Sequence, residues 1–209
     1  MHTLTAEAQS KITPETAIQI LKNGNLRFLE GIRQKREIQT QIAETASGQY
    51  PFACILGCID SRVPIRLIFD QGIGDVFGAT VAGNIVNEDI LGSLEFGCKI
   101  AGAKLVVVLG HTSCGAVKGA CDKAELGNLT SLLAKINPAI QNIKEPNDAK
   151  QRTSENSSFV DAVALENVKL TVKNIRTYSN VLRGMEEEGT IKIVGAMYDV
   201  KTGEVTFLD

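Results

Sequence analysis

The most constraining feature of this chain is the run Leu105-Val106-Val107-Val108-Leu109, five apolar residues that end at Gly110. Because the run is short and has no polar alternation, it predicts a strand that is buried on both faces. Such strands occur in parallel sheets that helices cover on both sides. The run therefore predicts an α/β fold.

Other predicted strands and helices alternate along the chain. We expect strands at 52–57, 75–82 and 191–197, and an antiparallel edge strand at 205–208 after a turn at 199–203. Thr13 and Pro14 begin one helix, Asn87 caps another, a long helix is expected over 158–182, and surface helical segments lie within 122–155. The prediction is one domain over 1–209, with a helical arm at 1–48 and an α/β core with a mostly parallel sheet at 49–209.

Composition excludes several classes of protein. The chain has 22 basic and 24 acidic side chains and a net charge of −2, which argues against a nucleic-acid partner. No apolar stretch approaches the roughly 20 residues that a membrane span needs. Residues 1–7 lack the basic and apolar regions of a signal peptide, so we expect a cytoplasmic location, or a periplasmic one if a leader has been removed.

Cysteine and histidine are both sparse. The chain has five cysteines, an odd number in a chain of 209 residues, so no disulfide framework is expected. Cys54, Cys98 and Cys121 have apolar neighbours and are interpreted as core residues. The two histidines are His2 and His111, which excludes mechanisms that need several histidines.

Two polar clusters each follow a predicted strand. Cys58-Ile59-Asp60-Ser61-Arg62 comes after 52–57, and His111-Thr112-Ser113-Cys114 comes after 105–109. Groups at the carboxyl ends of neighbouring strands converge on one crevice in an open α/β sheet. Cys58, His111 and Cys114 would then offer two thiolates and one imidazole, a ligand set that zinc prefers and that leaves a fourth position open.

These two clusters resemble the metal-site segments of the bacterial β-class carbonic anhydrases. The resemblance extends over nearly the whole chain, through the segments 68–75, 82–84, 107–110, 115–117 and 195–199. It implies a zinc lyase that interconverts carbon dioxide and bicarbonate by attack of zinc-bound hydroxide. It also implies one Zn²⁺ per subunit and a homodimer or dimer of dimers, in which the N-terminal helix wraps the neighbouring subunit.

The resemblance also assigns roles to individual residues. The zinc ligands are Cys58, His111 and Cys114. Asp60 and Arg62 form a catalytic pair, in which Asp60 accepts a hydrogen bond from bound water and Arg62 keeps Asp60 ionised and turned away from the metal. The implied substrate-binding residues are Gln49, Phe77, Phe96 and Gly115.

One departure from the family has a functional implication. Thr80 stands where most relatives have arginine, and Ile55 stands where one branch has tryptophan. In that branch the arginine and tryptophan hold a regulatory bicarbonate that favours aspartate on zinc. A threonine hydroxyl offers one neutral hydrogen bond in place of a charged, bidentate guanidinium. We therefore expect this chain to lack bicarbonate inhibition through that site.

Other interpretations of the sequence remain open. A related zinc hydrolase would act on carbon disulfide or carbonyl sulfide, and a non-catalytic module would use zinc only to hold the fold. Asp60 and Arg62 argue against the second, since a structural site fills its fourth position with cysteine or histidine. The glycines of 72–78 resemble a nucleotide loop, but the third glycine is one residue late and the segment precedes a strand.

Overall fold

A five-stranded sheet forms the centre of the computed structural model, which describes residues 3–208. Its strands are β1 (Ala53–Gly57), β2 (Val76–Thr80), β3 (Leu105–His111), β4 (Lys192–Tyr198) and β5 (Val205–Phe207). The spatial order is β2-β1-β3-β4-β5. Pairing is parallel from β2 through β4, and β5 is antiparallel to β4. The predicted α/β fold with an antiparallel edge strand is confirmed, while His2 lies outside the described residues.

Helices connect the strands and cover both faces of the sheet. They are α1 (Ala6–Ser10), α2 (Pro14–Leu29), α3 (Ile38–Thr45), α4 (Ile65–Ile68), α5 (Glu88–Glu95), α6 (Gly115–Cys121), α7 (Gly127–Ala134), α8 (Asn137–Asn142), α9 (Ser157–Tyr178) and α10 (Asn180–Glu187). Short 3₁₀ turns occupy Ala82–Asn84 and Ala149–Gln151, and a π-helical turn occupies Phe96–Ile100. Thr13 and Asn87 cap α2 and α5 as predicted. None of the helices within residues 3–208 is both long and apolar enough to cross a lipid bilayer.

The predicted single helix over 158–182 is wrong, because the chain leaves the helical conformation at Ser179. This residue has φ −112° and ψ 101°, and its hydroxyl accepts a hydrogen bond from the Leu182 N–H at 3.1 Å. The same hydroxyl donates to Glu95 Oε1 at 2.6 Å. A serine that caps a new helix competes with continuation of the old one. The apolar spacing continues across the break and does not reveal it.

The core lies on both faces of β1 and β3, whose residues are all buried. Val107 packs in the cluster that contains Leu21 of α2, and Val106 packs in the cluster that contains Val172 of α9. Alternate strand residues therefore face opposite helical layers. A Cβ on Gly110 would lie 2.4 Å from Cγ2 of Val168, so glycine allows α9 to pack closely on β3. The free thiols of Cys54, Cys98 and Cys121 are buried, as predicted: Cys54 and Cys98 lie in the cluster that contains Val172, and Cys121 lies in a third apolar cluster with Val117 and Leu133.

The N-terminal arm contacts the core of its own chain. The buried Asn25 side chain of α2 donates to the carbonyl oxygens of Ile68 and Gly203 at 3.2 and 2.9 Å, and accepts from the Val205 N–H at 2.9 Å. Asp70 accepts hydrogen bonds from arginines of the arm. Several large apolar side chains of the arm are nevertheless exposed, namely Leu26, Leu29, Ile32, Ile38 and Ile42. The arm is thus anchored in its own subunit and still presents an apolar surface outward.

Candidate metal centre

Cys58, His111 and Cys114 meet at the carboxyl edge of the sheet. Cys58 directly follows β1, His111 is the last residue of β3, and Cys114 is the N-cap residue of α6. Both strands end at one edge because they pair in parallel, with Gly57 opposite Leu109. One ligand atom from each of the three residues lies within 4.8 Å of the other two. All three residues are buried, so the set is assembled away from bulk water.

The imidazole of His111 is oriented by the backbone. Its Nδ1 lies 2.9 Å from the carbonyl oxygen of Thr112, and because a carbonyl only accepts, Nδ1 carries the proton. Nε2 therefore has a free lone pair. This atom is buried and has no hydrogen-bond partner within residues 3–208. A buried nitrogen in this state is costly unless something binds it.

A backbone N–H supports the first thiol. The N–H of Gly83 donates to Cys58 Sγ at 3.3 Å, and the buried Asn167 side chain donates to the carbonyl oxygen of Gly83 at 2.8 Å. Gly83 has φ 71°, a left-handed conformation that glycine adopts without a steric cost. Asn167 on α9 thus holds Gly83 in place, and the N–H of Gly83 stabilises a negative charge on Cys58.

The two thiols share one negative charge in the absence of a cation. The hydrogen bond from Cys114, with a smaller contribution from the Gly83 N–H, outweighs burial and lowers the pKa of Cys58 to about 4. The neighbouring Cys58 thiolate, together with burial, raises the pKa of Cys114 far above its ordinary value. A divalent cation removes this conflict because it allows both sulfurs to be thiolates.

The residues present therefore fit zinc. Two cysteine sulfurs and one imidazole nitrogen are borderline-soft ligands that zinc prefers over hard oxygen sets. A cation at this position would bind the free lone pair on the buried His111 Nε2. It would also allow both buried thiols, which otherwise share a single charge, to ionise.

Asp60 and Arg62 form a bidentate pair beside the ligands. Arg62 Nε donates to Asp60 Oδ1 at 2.9 Å, Arg62 Nη2 donates to Oδ2 at 2.8 Å, and the Arg62 backbone N–H donates to Oδ1 at 3.0 Å. These bonds outweigh burial and lower the pKa of Asp60 to about 2. Asp60 Oδ2 lies 3.9 Å from His111 Nε2. The carboxylate is thus ionised and close to the ligand set without belonging to it.

The other sequence-predicted site residues are not all brought to this edge. Gly115 follows Cys114 and is exposed at the start of α6. Phe77 lies opposite Cys54 in the sheet, four residues or roughly 13 Å of extended strand before Cys58. Phe77 and Phe96 contact edge to face, with ring centroids 6.2 Å apart, and both line a separate cavity of about 680 Å³.

Gln49 is also distant from the ligand edge. It is exposed, and its Cβ lies 3.9 Å from the position that a Cβ on Gly74 would occupy. Gly74 precedes the first residue of β2 and so lies towards the amino end of the sheet. A single chain therefore does not bring Gln49, Phe77 or Phe96 to Cys58, His111 and Cys114.

Sequence reasoning missed the residues that support the ligands from α9. These are Asn167, which fixes Gly83, and Asp161, whose Oδ1 accepts a hydrogen bond from the Ser113 N–H at 2.7 Å. In the sequence, Asp161 is 48 residues from Ser113 and Asn167 is 84 residues from Gly83. No local motif identifies them, because each is a single polar residue on an amphipathic helix, where polar residues are common.

The fold and site define an α/β protein with a buried Cys-His-Cys metal-ligand set and an adjacent carboxylate–guanidinium pair. The family model described as "Carbonic anhydrase" matches residues 53–205. This chain belongs to the carbonic anhydrase family.

Individual relatives agree with this assignment. The chain is 33% identical to the carbonic anhydrase of Mycolicibacterium smegmatis, over 92% of each chain. It is 34% identical to carbonic anhydrase 2 of Mycobacterium tuberculosis, over 94% of this chain and 93% of that one. The crystal structure of the β-carbonic anhydrase CafA of Aspergillus fumigatus matches with a TM-score of 0.68 and 30% identity, over 80% of each chain. The similarity is therefore to the β-class.

Proposed function

We propose that this chain catalyses the reversible hydration of carbon dioxide to bicarbonate and a proton. The observation that carries the proposal is the position of Asp60, ionised and fixed by Arg62 with its Oδ2 3.9 Å from the His111 ligand nitrogen. A structural zinc site needs no such carboxylate, since it fills its coordination with protein ligands. The pair therefore favours a catalytic site over a structural one.

Cys58, His111 and Cys114 would hold one zinc ion in each subunit. When bound, zinc supplies a Lewis acid that makes water acidic enough to react near neutral pH. The chain's own contribution is a buried site with two thiolates, one neutral imidazole and an oriented carboxylate. Two thiolate charges balance the charge of Zn²⁺, so we expect activity to rise on the alkaline side.

Asp60 orients the reacting water. An ionised carboxylate only accepts hydrogen bonds, so Oδ2 accepts one from the O–H of that water. The water is thereby oriented with a lone pair of its oxygen towards carbon dioxide. Arg62 has two effects on this step. It keeps Asp60 ionised, because its guanidinium lowers the pKa of the carboxyl group, and it holds the carboxylate to one side through two parallel hydrogen bonds.

Gly115 and the scarcity of histidine determine how product and proton leave. Gly115 is the first residue of α6, where backbone N–H groups have no acceptor within the helix, so its N–H is available to a bicarbonate oxygen. His111 is committed to the metal and the only other histidine of the chain is His2. Water and external buffer must therefore carry the proton away.

We propose further that the active form is a homodimer or a dimer of dimers. β2 is an edge strand, and Phe96 contacts Phe77 of this strand. The π-helical turn that begins with Phe96 exposes two apolar side chains, Phe96 at 54% and Ile100 at 73%. The apolar surface of the arm adds to this area. A second copy would cover both, since exposed apolar patches of this kind mark association sites. Two β-carbonic anhydrases of Sordaria macrospora that share this fold, at 24% identity with a TM-score of 0.67, are described as tetrameric.

The second copy would also complete the substrate cleft. Gln49, Phe77 and Phe96 lie away from the metal ligands of their own chain, so any role for them at the metal requires those of a neighbouring subunit. Apolar walls suit carbon dioxide, which is itself apolar. In this arrangement each cleft combines the metal ligands of one subunit with the apolar wall of the other.

Metal analysis and stopped-flow carbon dioxide hydration on one preparation test the proposed activity. We expect about one zinc per subunit and rapid hydration. Cys114→Ser should lose zinc and activity together, whereas the control Cys121→Ser, a buried cysteine outside the ligand set, should retain both. Full zinc and normal turnover in the Cys114 variant would refute the ligand assignment. A zinc-loaded wild type that hydrolyses carbonyl sulfide but does not hydrate carbon dioxide would refute the substrate.

Subunit mixing tests the shared cleft. Phe96→Ala and Cys114→Ser subunits, each expected to be poorly active alone, are unfolded together, refolded with zinc and assayed. Random pairing gives heterodimers with one intact composite site, so about a quarter of wild-type activity should return. Absence of any recovery would place Phe96 outside the neighbour's cleft. Sedimentation of the wild type measures whether the assembly is a dimer or a tetramer.

A further inference from the structure

The turn between two of the ligands has an unusual backbone conformation. His111 ends β3 and Cys114 caps α6, so Thr112 and Ser113 must redirect the chain within two residues. Ser113 has φ 54°, which is left-handed backbone that a residue with a Cβ seldom adopts. The spacing of the imidazole and the second thiol depends on this conformation.

Three hydrogen bonds hold the turn in place. The Thr112 N–H donates to the carbonyl oxygen of Tyr198 at 3.0 Å, and the Val200 N–H donates to Thr112 Oγ1 at 3.1 Å. The Ser113 N–H donates to Asp161 Oδ1 at 2.7 Å. The end of β4 thus fixes Thr112, and α9 fixes Ser113.

The carbonyl group of the same residue reaches the catalytic pair. The carbonyl oxygen of Ser113 accepts a hydrogen bond from Arg62 Nη2 at 3.3 Å, and this Nη2 also donates to Asp60 Oδ2. Ser113 therefore contacts Asp161 through its N–H and the Arg62–Asp60 pair through its carbonyl oxygen.

Asp161 is well placed to act as a rigid anchor. It is the fifth residue of α9, in the second turn of the helix. Its neighbours Phe159, Val160, Val163 and Ala164 are all buried. Within residues 3–208, the Asp161 carboxylate accepts a hydrogen bond from the Ser113 N–H and forms no salt bridge. The carboxylate is therefore directed at the metal turn.

We propose that Asp161 is a positioning residue of the metal site. It holds Ser113 in the left-handed conformation, and this sets both the His111–Cys114 ligand geometry and the carbonyl oxygen that receives Arg62. The proposal rests on the proposed zinc site and adds a residue outside both polar clusters. Partners that orient metal ligands typically contribute 10- to 100-fold to metal affinity or activity.

The test compares zinc release to a chelator, the visible spectrum of the cobalt-substituted protein, and carbon dioxide hydration. Asp161→Ala should release zinc about 10–100 times faster and show altered cobalt bands. Asp161→Asn, which keeps an acceptor oxygen without the charge, should lie between. The matched control is Asp122→Ala, because Asp122 Oδ1 accepts the Ser154 N–H at 2.8 Å in the same way but away from the metal turn.

A second substitution separates positioning from general stability. Ser113→Gly removes the steric cost of the left-handed conformation, so in the Asp161→Ala background it should restore most of the zinc retention and cobalt spectrum. An Asp161→Ala protein with wild-type zinc release and spectrum would overturn the proposal, and so would a double variant with no recovery. If wild type itself binds no zinc, the proposed function fails instead, so the two failures are distinguishable.

Discussion

Arg62 binds Asp60 through two parallel hydrogen bonds, Nε to Oδ1 at 2.9 Å and Nη2 to Oδ2 at 2.8 Å, within one short loop. The Arg62 backbone N–H adds a third at 3.0 Å. Because both residues follow β1 directly, their own loop orients the carboxylate. No bound metal or substrate is needed to hold it. Asp60 Oδ2 lies 3.9 Å from Nε2 of the metal ligand His111. The fixed carboxylate is therefore adjacent to the position where water would react.

We predict that Asp60→Asn keeps the metal and loses most of the activity. The amide can still accept a hydrogen bond, but it also donates and carries no charge, so it no longer orients water reliably. General acid–base and orienting groups contribute typically 10²–10⁴-fold to rate, and a loss of about this size is expected in stopped-flow hydration. The control Asp122→Asn alters an acid whose Oδ1 accepts the Ser154 N–H, outside both the ligand set and the cavity lined by Phe77 and Phe96, and should leave turnover unchanged. Unchanged turnover of the Asp60 variant between pH 7 and 9 would remove Asp60 from the mechanism.

Turnover at saturating carbon dioxide should depend on buffer concentration. Histidine is the side chain best suited to carry protons near neutral pH, and His111 is held by the Thr112 carbonyl oxygen and directed at the metal. Stopped-flow assays in 1 to 50 mM buffer at constant ionic strength measure this dependence. A turnover that stays flat across the series would reveal an internal proton path.

Bicarbonate should not act as an inhibitor beside Thr80. Thr80 is an exposed residue at the end of β2. Arg66 does not replace the missing arginine there, because its Nη2 donates to the Val76 carbonyl oxygen at 3.4 Å, at the start of that strand. Charged hydrogen bonds contribute about 1.5–3 kcal/mol against about 1 kcal/mol for neutral ones, so any such site is weakened by about tenfold or more. A crystal grown in bicarbonate at pH 7 tests this. Bicarbonate bound at Thr80 with Asp60 on the metal would contradict it.

Asp70→Asn should destabilise the protein at neutral pH by about 1.5–3 kcal/mol, since two partly buried arginines lose their charged hydrogen-bond acceptor. The Asp70 side chain is 2% exposed and accepts from Arg27 and Arg36, both at 2.6 Å. Burial raises the pKa of Asp70, but the two arginines outweigh it and the net pKa is lowered. A lowered folded-state pKa stabilises the protein above the unfolded-state pKa of about 4, and the contribution is lost as the pH falls through the folded-state value.

Urea denaturation of wild type and the Asp70 variant at pH 7 and near pH 3 measures this effect. The difference in the free energy of unfolding should shrink at the lower pH. Glu7→Gln is the matched control, because the Glu7–Lys11 pair is exposed and should contribute less than about 1 kcal/mol. Equal destabilisation by the Asp70 variant at both pH values would show that packing, rather than charge, is responsible.

Local sequence was sufficient for the sheet and the ligands. The apolar run of β3 predicts a doubly covered strand, and the parallel pairing of β1 with β3 brings Cys58 to His111 without further information. Ser179 and Asp161 could not be predicted in this way. The helix break at Ser179 depends on its contact with Glu95, 84 residues earlier, and the role of Asp161 depends on how α9 lies across the turn at Ser113.

Cys58 follows β1 and Cys114 lies three residues after the end of β3, so a cation bound by both would link two points about 55 residues apart in the chain and close a large loop. Closing a loop of this length restricts the unfolded ensemble by an amount that corresponds to about 4 kcal/mol in a simple chain-entropy description. The enclosed segment contains β2, α5 and the whole of β3. Folding of this half of the sheet is therefore thermodynamically linked to metal supply, and newly made chains in metal-poor conditions should populate states in which β1 and β3 separate readily.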